Sequence, residues 1–186
     1  MKVLIIPEDQ SVDPAILKPV VERLFENLGR PADVRVLPEP RMRGATDALS
    51  QEIIRDLVET RRTVDLFLLI VDRDCNRKNH EEKAAAREAE HPGRLIACLA
   101  VQEIEVWLLA LHRAQLDAAW PVVRAECDPK EKYAWPLLER MGWSKLPQRG
   151  HSRAMRELPG QWKSLLSLCP EIGDLKQRIA EHLAVG

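Results

Sequence analysis

The sequence predicts an α/β fold in which a parallel four-stranded sheet is flanked by helices and followed by an all-helical C-terminal extension. Three observations carry this. Four apolar runs lie before residue 102, helical periods separate them, and only helical periods remain after Glu103. Strands that are apolar without alternation are buried on both faces, as in a parallel sheet covered by helices. The 186 residues suit one domain of ordinary size. The change of pattern divides it into an α/β core over 1–112 and a helical extension over 113–186, packed on that core.

The first strand is Val3-Leu4-Ile5-Ile6, stopped by Pro7. The clearest helix follows: Ile16, Leu17, Val20, Val21, Leu24, Phe25 and Leu28 recur on one face, with Asp13 as N-cap, Pro14 as first helical residue and Gly29 at the stop. Residues 34–37 form a second strand. The next helix covers 47–59, with Leu49, Ile53, Ile54, Leu57 and Val58 on one face. A third strand at 64–71, a highly charged helix at 79–89 and a fourth strand at 94–101 complete the core. Helices at 104–116, 130–141, 153–168 with a break near Pro159, and 172–183 follow, joined by short Pro- and Gly-containing connectors.

With 45% hydrophobic and 31% charged residues, the chain can build both a core and a soluble surface, which argues against disorder and membrane insertion. Its 28 basic and 29 acidic side chains leave a net charge of -1, so contact with nucleic acid requires a local patch. The opening apolar run is too short for a signal-peptide core or a membrane span. A cytoplasmic protein with no membrane partner is expected. Cys75, Cys98, Cys127 and Cys169 show neither C-x-x-C spacing nor a nearby histidine cluster, and reduced thiols are the expectation.

The chemical signal is positional. In an open parallel sheet, ligands gather outside the carboxyl ends of the strands, where the following loops share one edge. Glu8 and Asp9 follow the first strand, Asp72-Arg73-Asp74 the third, and Glu103 and Glu105 the fourth. In an extended Asp-x-Asp both carboxylates face the same way. Their repulsion is relieved by Mg2+ or Mn2+, which take oxygen ligands. Glu8, Asp72 and Asp74 thus form a catalytic and metal-binding set suited to phosphate-ester chemistry. Glu103, Glu105 and Asp13 are the candidates for a second ion. Asp9 and Asp13 also fit helix-capping or solvated roles, and one of Glu103 and Glu105 suits the positive end of a helix dipole. Arg73, Arg77 and Lys78 could supply counter-charge instead of a metal.

Arg41 and Arg43 follow the second strand and fit either a phosphate clamp or a solvated loop. Residues 145–163 carry Lys145, Arg149, His151, Arg153, Arg156 and Lys163 against one acid, Glu157. That segment suits a nucleic-acid backbone or a solvated helix face. All five tryptophans, Trp107, Trp120, Trp135, Trp143 and Trp162, lie after residue 106. Trp107 and Trp135 sit among leucines and are expected in the core. Trp143 and Trp162 flank the basic segment and are the better candidates for exposure and base stacking. His151 is a candidate proton donor.

A glutamate after the first strand and an Asp-x-Asp after a later one resemble the Toprim fold shared by topoisomerases, bacterial primases and overcoming-lysogenization-defect nucleases. The resemblance makes Glu8, Asp72 and Asp74 the metal and acid/base residues. More narrowly, the chain resembles a bacterial Toprim-like family of unknown function considered alongside ATPases in defence-type gene clusters. That resemblance is carried by Glu8-Asp9-Gln10-Ser11, Arg41-Met42-Arg43-Gly44, Val71-Asp72-Arg73-Asp74, residues 102–110, Asp128-Pro129-Lys130 and Cys169-Pro170-Glu171. Pro7 and Asp9 stand where the family has Val and Gly around the glutamate, and Val12 replaces its later acid, with Asp13 adjacent.

The expected function is a metal-dependent nuclease or other phosphoesterase in phage defence or DNA processing. Nucleic acid, an ATPase and a second copy of the chain are its expected partners. Alternatives are a non-catalytic Toprim-like partner of an ATPase, and a phospho-receiver. The latter fits poorly, because a receiver needs a later strand ending in lysine and this chain continues as helices.

Overall fold

In the computed structural model, which describes residues 1–76, 78–143 and 147–185, the chain is an α/β protein with a helical C-terminal region. Strands β1 (Lys2–Ile6), β2 (Asp33–Val36), β3 (Leu66–Asp72) and β4 (Leu95–Ala100) form one all-parallel sheet in the order β2-β1-β3-β4. Ile5 sits beside Val36 and Leu68, and Asp72 beside Ala100. All four strands therefore point their carboxyl ends at one edge.

Side-chain alternation divides the apolar strand residues between two faces. Val3, Ile5, Leu68, Ile70 and Cys98 face α1 (Pro14–Asn27), α5 (Glu105–Leu111), α9 (Leu158–Leu168) and α10 (Pro170–Val185) in one continuous apolar cluster. Leu4, Ile6, Phe67, Leu69 and Ala97 face α2 (Ala45–Ala48), α3 (Gln51–Thr60) and α4 (His80–Glu90) in another. Glu171 at the start of α10 ties the helical region together. Its Oε1 accepts the Trp107 indole N–H at 2.8 Å and an Arg124 N–H at 2.9 Å.

Several boundaries differ from expectation for identifiable reasons. The helix expected over 47–59 is two, because Ser50 is extended and starts α3. A short helix, α6 (Trp120–Ala125), has only six residues with Pro121 at its start, too few to establish a period. The helix expected over 130–141 begins with a π-helical turn, Lys130–Ala134, before α7 (Trp135–Arg140). Polar α8 (Pro147–Ala154) precedes α9, and Pro159 falls in the first turn of α9, where its missing N–H leaves no gap in the helix. The helix expected over 153–168 is interrupted next to Pro159, by a 3-10 turn at Met155–Glu157.

Cys75 and Cys127 form a disulfide, with their Cα atoms 5.6 Å apart, contrary to the expectation of reduced thiols. Sequence spacing gave no sign of it because the pairing is made in space, where the turn after β3 meets the loop after α6. Cys98 and Cys169 are buried thiols, and burial pushes Cys98 up to about 12. No helix among the described residues is long and apolar enough to cross a membrane.

Candidate metal centre

Asp72 ends β3, and Asp74 opens a tight turn, Asp74–Asn76, immediately beyond it. The segment leaving β4 runs alongside and holds that turn. Arg73 N–H donates to Ala100 O at 3.1 Å, Asp74 N–H to Gln102 O at 3.0 Å, and Cys75 N–H to Gln102 Oε1 at 2.8 Å. Asp74, Cys75 and Asn76 have φ of 51°, 52° and 54°, and Gln102 has 72°. Left-handed backbone is unfavourable for residues other than glycine, so such a cluster marks a segment held by its surroundings.

Among the described residues, this folding brings one carboxylate oxygen from each of Asp72, Asp74 and Glu103 within 4.8 Å of one another, at half-buried positions. Asp72 Oδ1 accepts the Ile104 N–H and Glu103 Oε2 the Lys130 N–H, both at 2.8 Å. Each carboxylate retains a second oxygen. Burial holds the Asp72 carboxyl well above the usual carboxylate range, reinforced by Glu105, Glu8 and Asp13. Burial likewise pushes Glu103 up to about 7, with Glu105 and Glu131 adding to it. Three crowded, partly desolvated acids are a donor set for a hard divalent cation, whose charge would replace their protons.

Glu8 stands beside this cluster, and Glu103 takes the third place that the sequence suggested for Glu8. The Glu8 carboxylate accepts the Asp72 N–H at 3.4 Å and the Ala45 N–H. Gly44, with φ of 85°, provides the turn that starts α2 there. Burial raises the Glu8 pKa and Asp74 adds to the effect, against the two N–H bonds. His80, buried under the strand end, donates its Nδ1–H to Asp72 O at 2.9 Å.

Glu105 points elsewhere. It is 1% exposed, with Oε1 3.1 Å from Lys130 Nζ and 3.9 Å from His151 Nε2. Asp13, at the start of α1, turns its carboxylate back to accept the Asp9 N–H at 2.7 Å instead of capping the helix. Burial pushes it up to about 8, with Glu105 and Asp9 contributing. A network of buried Glu105, His151 and Asp13 with half-buried Lys130 therefore adjoins the three-carboxylate cluster. Lys130 belongs to both through its backbone and its side chain. Sequence reasoning assigned no role to Lys130, His80 and Gln102, because their roles depend on contacts between distant segments.

The basic residues divide. Arg73 is half-buried and 3.6 Å from Glu81. Arg41 and Arg43 are exposed on a loop tied to the β1 edge by Gln10, which donates to Leu37 O and Pro40 O and accepts from Met42 N–H, each at 2.9 Å. Arg149 and Arg153 are exposed on α8, while His151 of the same helix is buried. Lys145 and Arg77 lie outside the described residues. Trp107 is fully buried as expected, but Trp162 is 5% exposed and Trp135 50%, reversing the roles expected for those two.

No protein-family model, curated protein or solved structure matches the chain. Fold and site define it as an α/β protein with a carboxylate cluster at the carboxyl edge of a parallel sheet.

Proposed function

We propose that the chain is a divalent-metal-dependent phosphoesterase of Toprim type, acting on nucleic acid as a nuclease. The supporting observation is the convergence of Asp72, Asp74 and Glu103 within 4.8 Å at the sheet edge. These three residues would hold Mg2+ or Mn2+, with Glu8 beside them. A cation there supplies polarisation of a phosphoryl oxygen and an activated water. The chain's own part is to fix the carboxylates by the backbone N–H groups of Ile104 and Lys130. Exposed Arg41 and Arg43 provide positive charge near the same edge, and Arg149 and Arg153 provide it on α8. A cytoplasmic setting in bacterial defence, with an ATPase or a second copy as partner, accompanies this reading.

The test combines Mn2+ calorimetry with cleavage of plasmid, single-stranded DNA and RNA in Mg2+ or Mn2+. Metal binding with cleavage that disappears in Asp74→Asn supports the reading. Intact substrates and no heat of metal binding reject it. The alternative is a non-catalytic partner role, motivated by Pro7 and Asp9 on either side of Glu8. Under that role Asp74→Asn leaves biological activity unchanged.

A further inference from the structure

A cavity of about 520 Å³ opens between the β1–α1 loop, the π-helical turn, α7 and α8, and is linked to the carboxylate cluster through Lys130. Val12, Trp135 and Leu138 form its apolar walls, and Asp9, Lys130, Glu139 and His151 bring polar groups to it. Its size is that of a small-molecule site, which is mostly apolar with a few placed polar groups. Trp135 is the feature that the core does not account for. Neighbouring Leu137 and Leu138 are buried, yet the indole is 50% exposed.

The cavity and the carboxylates share a residue. Lys130 lines the cavity, its Nζ reaches Glu105, and its backbone N–H holds Glu103 of the three-carboxylate cluster. A ligand spanning both regions would have an anionic end at the carboxylate-bound cation and a flat, apolar-faced, polar-edged end against Trp135. Nucleotides combine these features: the phosphate seeks a cation, and the base offers a π-face with hydrogen-bonding edges. An aliphatic group would use the walls but make no hydrogen bond to exposed Glu139 or to Asp9, whose Oδ1 already accepts the Ser11 N–H and hydroxyl.

We propose that this cavity receives the nucleobase of the substrate, stacked on Trp135, while the adjoining phosphate lies at Asp72, Asp74 and Glu103. The proposal rests on the phosphoesterase reading and adds the place where the substrate's base is held. Stacking tolerates every base because each has a π-face. Asp9, Glu139 and Lys130 stand where base edges would arrive and give the cavity its means of preference among bases.

The experiment titrates AMP, TMP and ribose 5-phosphate into the Mn2+-loaded full chain by calorimetry, alongside adenosine and thymidine without metal. The expected result is binding of either nucleotide about tenfold tighter than ribose 5-phosphate, an advantage that falls to within twofold in Trp135→Ala and is largely kept in Trp135→Phe. Val12→Phe, which fills the cavity from the β1–α1 loop, repeats the loss without touching the indole. Equal affinity for nucleotide and sugar phosphate, or an unchanged preference in Trp135→Ala, overturns the proposal. If Mn2+ binds and the base advantage is absent, the cavity fails and the metal reading stands. If Mn2+ does not bind, the metal reading fails, and the metal-free nucleosides still decide the cavity by whether their binding is lost in Trp135→Ala.

Discussion

The ammonium of Lys130 lies 3.1 Å from Glu105 Oε1, in a pair whose acid is 1% exposed. Burial alone would lower the Lys130 pKa, but Glu105, Asp13 and Asp72 outweigh it and hold the ammonium charged. Removing one partner of such a pair leaves an uncompensated buried charge, which costs more than the pair itself contributes. Lys130→Met is therefore expected to destabilise the chain by about 3 kcal/mol. Glu105→Gln in the same chain should recover part of that loss. Urea unfolding of both variants checks it; a wild-type midpoint for Lys130→Met would show that the pair carries no net stability.

Crowded carboxylates oppose folding until a cation neutralises them, so neutralising one should separate stability from binding. Asp74→Asn keeps the shape of the turn and removes one of the three carboxylates. Metal-free, the variant is expected to gain about 1 kcal/mol, or a rise of roughly 2–4 °C in Tm for a chain of this size. Its Mn2+ affinity should fall at least tenfold. Thermal melts with EDTA and with Mn2+ read both effects, and a variant that melts lower than wild type without metal contradicts the crowding argument.

Asp13 gives the pH dependence its sign. Its carboxyl is pushed up to about 8 from an ordinary value of 3.8, so between those limits the folded chain binds a proton that the unfolded chain has released. Stability must then decrease as pH rises through that window, by up to about 1.4 kcal/mol per pH unit, and recover as pH falls. Glu103, pushed up to about 7, contributes in the same direction below pH 7. Asp13→Asn is expected to flatten the slope between pH 6 and 8. Unfolding curves at three pH values in that range decide it, since an equal slope in the variant would assign the dependence to other groups.

What the sequence disclosed followed from local periodicity. The apolar runs around Ile5, Leu68 and Cys98 placed the strands, and the parallel arrangement then brought Asp72, Asp74 and Glu103 to one edge. Which acids converge there was not legible from strand ends alone. Glu8 and Glu103 both follow strands, and the choice depends on the left-handed turn at Asp74–Asn76 and on Gln102, whose positive φ no pattern announces. Trp135 shows the same limit. Its leucine neighbours Leu137 and Leu138 are buried, but at the start of α7 the indole projects into the cavity that α8 and the β1–α1 loop complete.

The Cys75–Cys127 disulfide joins the turn bearing Asp74 to the loop leading into Lys130, across 52 residues of sequence. A link closing a loop of that length removes unfolded-state entropy equivalent to roughly 4 kcal/mol in the chain-entropy model, and less where the unfolded chain retains structure. Its placement also bears on the site. Three successive left-handed residues at Asp74, Cys75 and Asn76 each oppose the native turn by about 1 kcal/mol, and Gln102 and the disulfide hold the turn against that tendency. Reduction, or Cys75→Ser with Cys127→Ser, should therefore lower stability by about 2–4 kcal/mol. It should also weaken Mn2+ binding at least threefold, because Asp74 is then held chiefly through Gln102. Both effects are read from urea unfolding and calorimetry with and without dithiothreitol. Lost stability with unchanged Mn2+ affinity would make the link purely structural, whereas loss of both would make the metal centre sensitive to redox conditions.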